Sequence, residues 1–149
     1  MWNKQRSLVA SLIMTGALLV LIAAAIVLLP TLVRAYAQMT GVAYESFKWL
    51  VVALYVSALP GIVCCVSLMR LLLNIRRGEV FQTKNATILR VLSWCCFFVG
   101  AEYFVFGVRW YITLVLLSFA ALFFGLILRV IKNVFEKAIL LQEENDYTV

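Results

Sequence analysis

The chain has 149 residues, 65% hydrophobic and 13% charged, against roughly 45–50% apolar and about 25% charged in an ordinary soluble domain, which excludes a water-soluble core of this size. It has no histidine, so the commonest general base, proton shuttle and zinc ligand is missing; no catalytic residue, metal site or cofactor is expected, and the chain reads as a non-enzyme. The net charge of +6 flanks apolar runs instead of forming one basic face, which argues against direct nucleic-acid binding and for anionic lipid headgroups as counterions.

A membrane-crossing helix needs about 20 apolar residues to traverse about 30 Å of hydrocarbon. Ser7 to Val33 carry no charge and predict a first span over residues 8–32. Lys4 and Arg6 before it, with Ala35-Tyr36-Ala37 after it, imitate a secretory signal, but the apolar core exceeds the roughly 7–15 residues of a signal peptide. A retained helix is therefore expected, with Pro30 breaking its ladder near the outer end. Gly16, Ala17 and Ala23 to Ala25 would permit close helix approach.

The second span is expected over residues 49–73, entered at Trp49 and kinked at Pro60-Gly61, where proline removes a backbone bond. The connection from Asn74 to Arg90 gathers Arg76, Arg77, Lys84 and Arg90 around Val80-Phe81. Gly78 suits a helix stop, and Thr83 or Asn85 a cap for the next helix.

The third span, residues 86–108, contains Glu102, the one acidic residue inside a span. A charge at mid-bilayer costs about 2.5–3.5 kcal/mol on insertion scales, so Glu102 is expected to face the bundle interior, water or a partner, as such residues usually do. Two readings follow: a proton or cation site, or a polar cluster with Arg34 and Arg109, Lys48 or the Tyr55 hydroxyl. Gly100, Ala101 and Gly107 suit close packing within the bundle or between copies. The vicinal pairs Cys64-Cys65 and Cys95-Cys96 diverge by about 100° around their helices, so neither can readily bridge itself; a disulfide between the two spans stays open, and apolar packing is the reading favoured.

The fourth span is expected over residues 110–131, with Trp110 and Tyr111 as interfacial anchors. Val130, Ile131, Val134, Phe135, Ala138 and Leu141 recur at spacings of three and four, which predicts a helical extension over residues 132–142 ahead of an acidic tail, 143–149. Ten of the thirteen cations fall on one side of the spans, with only Arg34, Lys48 and Arg109 on the other. The side with ten is expected in the cytoplasm, with both termini. The fold expected is all-α and integral to the membrane, one domain over residues 1–149: a four-transmembrane-helix bundle whose fourth helix extends into the cytoplasm.

The run Gly78-Glu79-Val80-Phe81-Gln82-Thr83-Lys84-Asn85, continuing to Leu89-Arg90 and Trp94, resembles the central signature of the YoaS-like family of small four-span bacterial membrane proteins, a domain of unknown function. The ending Ala138, Leu141, Gln142, Glu143, Glu144, Asn145, Asp146, Tyr147, Thr148, Val149 is similar to that family's terminus. The resemblance implies a bacterial cytoplasmic-membrane protein, often encoded beside a small helix-turn-helix regulator, and supplies no catalytic residues.

Three functions are in competition. The first is a regulator or partner-binding membrane protein of unknown ligand, whose docking face comprises Arg76, Arg77, Phe81, Lys84, Asn85 and Arg90 together with Glu143, Glu144, Asn145 and Asp146. The second is a small oligomeric transporter or channel using Glu102. The third, a membrane thiol oxidoreductase, ranks last. The expected partners are the lipid bilayer, anionic headgroups, a soluble cytoplasmic regulator and further copies of the chain.

Overall fold

A computed structural model describes residues 4–148, and among these the chain is helical with no strand. Its elements are α1 (Lys4–Thr40), a short 3₁₀ turn (Tyr44–Phe47), α2 (Lys48–Arg76), α3 (Thr83–Arg109) and α4 (Ile112–Tyr147). All four α-helices are long and apolar enough to cross a membrane. With hydrocarbon as solvent, a helix satisfies its backbone internally, which is why each apolar run takes this form.

All four helices run past the expected bounds, α2 and α3 by a few residues and α1 and α4 by more. Pro30 does not end α1, which continues to Thr40. Proline has no N–H to give the carbonyl one turn earlier, that of Ile26, and the Tyr55 hydroxyl of α2 donates to that oxygen at 2.9 Å. A side chain from the neighbouring helix thus closes the gap in the ladder. Pro60 likewise lies inside a continuous α2. At the other end of the chain, Glu143 to Tyr147, expected as a tail beyond the helix, form the end of α4. At about 1.5 Å per residue the 36 residues of α4 reach about 54 Å, well beyond one hydrocarbon core.

The helices are strung in chain order: α1 packs on α2, α2 on α3 and α3 on α4, while the backbones of α1 and α4 do not meet. The result is an open row, with α3 and α4 its tightest pair. Glycines make that pairing possible. A methyl at Gly100 would fall 2.7 Å from Leu122 Cγ, and one at Gly107 would fall 2.7 Å from the Val115 backbone nitrogen. Ser93, fully enclosed, donates to the Gly125 carbonyl at 2.9 Å across the same seam. Between α2 and α3 the Tyr103 hydroxyl meets Ser57 Oγ at 3.0 Å. In lipid, where apolar burial between helices gives little driving force, such close backbone contacts and hydrogen bonds hold helices together.

The two ends of the row differ. One is aromatic: Trp49 stacks on Trp110 at 4.6 Å, Phe106 lies 5.4 Å from Trp110, and the Tyr111 hydroxyl donates to the Ser46 carbonyl. The other is basic and brings together the start of α1, the α2–α3 connection and the end of α4, since Arg6 and Arg76 line one hollow and Phe81 and Gln142 another. There Leu71, Leu89 and Leu92 form the buried apolar core, with Ile75, Leu128 and Phe135 packed around it.

Candidate functional site

The basic end is organised around one buried amide. Helix α2 stops at Gly78, whose φ of +83° suits a residue without Cβ. The Gly78 N–H donates to the Ile75 carbonyl at 3.0 Å and the Glu79 N–H to the Asn74 carbonyl at 3.0 Å, the paired bonds of a Schellman stop. The chain then enters α3 at Gln82 with no side-chain cap. Neither Thr83 nor Asn85 fills the capping role expected of them. Asn85 is instead wholly buried: it donates to the carbonyls of Glu79 at 2.6 Å and Val80 at 2.8 Å and accepts from Asn74 Nδ2 at 2.8 Å. It sits too far into the first turn to reach the free amides, and its side chain points back across the connection.

This clamp fixes the presentation of Phe81. The ring is half exposed and lies 5.8 Å from that of Phe135 on α4. Between the connection and the end of α4 opens a cleft of about 350 Å³, with Phe81 and Lys84 on one wall and Gln142, Glu143 and Asp146 on the other. The central and terminal segments singled out in the sequence thus share one cleft. Glu144 and Asn145 are exposed on the adjoining turn, and their carbonyls accept from the Thr148 hydroxyl at 3.1 and 3.0 Å.

The ion pairs at this end are not those between connection and tail. Among the described residues, the cation of the connection that finds a carboxylate is Arg90, 3.1 Å from Glu136, which also binds Lys132 at 2.9 Å. The hydrogen bond from Lys132, with Arg90 beside it, holds the Glu136 carboxyl below its usual value. Arg76, Arg77 and Lys84 are exposed and pair with none of Glu143, Glu144 or Asp146. Sequence reasoning missed Asn74, Lys132 and Glu136. Two asparagines on either side of a glycine stop were a signal for the first, and the four-residue spacing of Lys132 and Glu136 for the other two.

Within the spans, the structure does not gather Glu102, Arg34 and Arg109. Arg34 lies over the Tyr44 ring at 5.7 Å and Arg109 over the Trp110 ring at 5.9 Å, while Tyr55 is committed to Ile26. Arg34 is on α1, which does not approach α3, and Arg109 is two turns further along Glu102's own helix, at the aromatic end. Both carboxylate oxygens of Glu102 are shut away from solvent and accept no hydrogen bond from the described residues. Cys64 on α2 lies beside Cys95 and Cys96 on α3, and all four cysteines are free thiols.

A protein-family model described as "Protein of unknown function (DUF2975)" matches residues 3–149. No curated protein and no solved structure matches the chain. The chain belongs to that family of unknown function, and its four long apolar helices make it a multi-pass membrane protein.

Proposed function

We propose that this protein is a non-enzymatic regulator or partner-binding protein of the bacterial cytoplasmic membrane, with its basic end and both termini inside the cell, holding a soluble partner in the cleft between the α2–α3 connection and the end of α4. The observation that carries the reading is the convergence of the two distinctive segments on that one cleft, with a half-exposed Phe81 beside Lys84, Glu143 and Asp146. An apolar ring set among charges of both signs suits a protein surface better than a small apolar ligand. The resemblance to YoaS-like proteins, often encoded beside a small helix-turn-helix regulator, suggests such a regulator as the occupant. The asymmetry of cations between the ends supports the orientation.

The test is purification of the tagged full chain from its host in mild detergent, alongside Phe81→Asp and a form lacking residues 143–149. A single soluble protein retained by the full chain and lost from both altered forms is the expected result. Identical partners from all three overturn the proposal.

Glu102 favours a second reading, a small transporter or channel formed between copies, because its enclosed carboxylate has no hydrogen-bond partner among the described residues. On this reading Glu102→Gln abolishes ion flux in liposomes; flux equal to that of the unaltered chain removes the residue from consideration.

A further inference from the structure

At the basic end, Arg70 follows directly on the uncharged run that closes at Met69, so it stands where a span passes from hydrocarbon into the headgroup layer. Arg77 is seven residues on, the same face two turns later and about 10 Å further along the axis. Both line a hollow of about 460 Å³ between α2 and α3, whose other wall carries Lys84 and Thr87 and whose apolar surface comes from Leu73 and Ile88. Among the described residues none of these three cations has a carboxylate partner. The wall is held in place by the clamp, since Asn74 lines the hollow while its amide is bound to Asn85.

Three cations without a carboxylate partner thus stand around apolar side chains at the end of a span. In water alone such a group would spread by mutual repulsion, and it gains most from a dianion or from two oxygens of one phosphate. A free phosphate would need the cations only. Leu73 and Ile88 add a surface suited to a glycerol backbone and the first methylenes of an acyl chain. On the opposite flank of α2 the same mixture recurs: Arg6 and Arg76 line a hollow of about 470 Å³ with Val9 and Ile13. Recurrence on both flanks of α2 at the basic end points to the headgroup layer as the common cause.

We propose that the hollow bounded by Arg70, Arg77 and Lys84 is a binding site for the phosphate of an anionic phospholipid, its apolar wall taking the start of the acyl chains. Pockets of this composition between membrane helices are where anionic headgroups bind. Lys84 lines both this hollow and the Phe81 cleft, whereas Arg70 and Arg77 line the hollow and not the cleft, so the two arginines separate lipid binding from partner binding.

The test is native mass spectrometry of the full chain in detergent, titrated with dioleoyl phosphatidylglycerol, dioleoyl phosphatidylcholine or inorganic phosphate. Phosphatidylglycerol should be retained at least about tenfold more tightly than phosphatidylcholine. At about fivefold per cation near a membrane surface, R70Q/R77Q should weaken that retention roughly twenty-five-fold, while R70K/R77K keeps most of it and K137Q, outside the hollow, leaves it unchanged. Equal retention of the two lipids, or equal weakening by R70Q/R77Q and K137Q, overturns the proposal. Displacement of phosphatidylglycerol by millimolar inorganic phosphate also overturns it, assigning the hollow to a soluble anion. Circular dichroism shows whether R70Q/R77Q keeps its helices; if it does not, R77Q alone carries the test, with about fivefold weakening expected and none contradicting the assignment.

Discussion

Asn85 bears more of the basic end than any other single side chain, because its one amide ties together the α2 terminus and two carbonyls of the connection. Asn85→Ala should cost about 1–3 kcal/mol through the partners it strands, and Asn74→Ala made on top of it should cost less than Asn74→Ala alone. Thermal unfolding in detergent measures both; strictly additive losses would contradict the clamp. Glu136 gives a pH signature. Its carboxyl is held below the usual value of 4.5, so the folded chain favours the charged form. That contribution is present above about pH 4.5 and is lost as the pH falls through the depressed folded value. The melting-temperature difference between the unaltered chain and Glu136→Gln should therefore be small and positive near neutrality and vanish in acid. A difference that persists in acid would assign the role of Glu136 to packing. At this scale the sequence was legible in part: Gly78 reads as a stop because only its kind of backbone turns there, whereas the burial of Asn85 follows from a tertiary contact that local capping rules do not contain.

Each helix owes its existence to a long apolar run, interrupted in α3 by Glu102, which is why all four were readable, but their ends are set by what meets them. Pro30 reads as a terminator in isolation. The Tyr55 hydroxyl, delivered by α2, makes it a continuous part of α1. Tyr55→Phe should leave the Ile26 carbonyl unpaired in lipid and destabilise the α1–α2 pair by about 0.6–1.7 kcal/mol, the range of such bonds between membrane helices. Hydrogen exchange at residues 26–34 measures it: faster exchange in the variant is expected, and unchanged exchange would mean that the gap is closed otherwise. Helix α4 shows the converse. Acidic residues at a helix C-terminus oppose the macrodipole, so the sequence favours an earlier stop; the helix nonetheless continues to Tyr147, beyond Phe135, which packs on the apolar core of the basic end.

For the whole molecule, composition alone excluded a water-soluble core, and the cation count suggested an orientation. The row in which α1 meets only α2 and the 3₁₀ turn was not legible, because apolar periodicity in lipid does not separate a lipid-facing face from a helix-facing one. The convergence of the two distinctive segments at one end follows from four antiparallel crossings, and the functional account rests on that end facing the cytoplasm. Cysteine accessibility in intact cells measures this most directly, with the four native cysteines replaced by Ala and single cysteines placed at Ser46, Glu79 or Thr148. An impermeant maleimide should label Ser46→Cys in intact cells, and Glu79→Cys and Thr148→Cys only after the membrane is opened. Labelling of Glu79→Cys or Thr148→Cys from outside, with Ser46→Cys protected, would contradict the account.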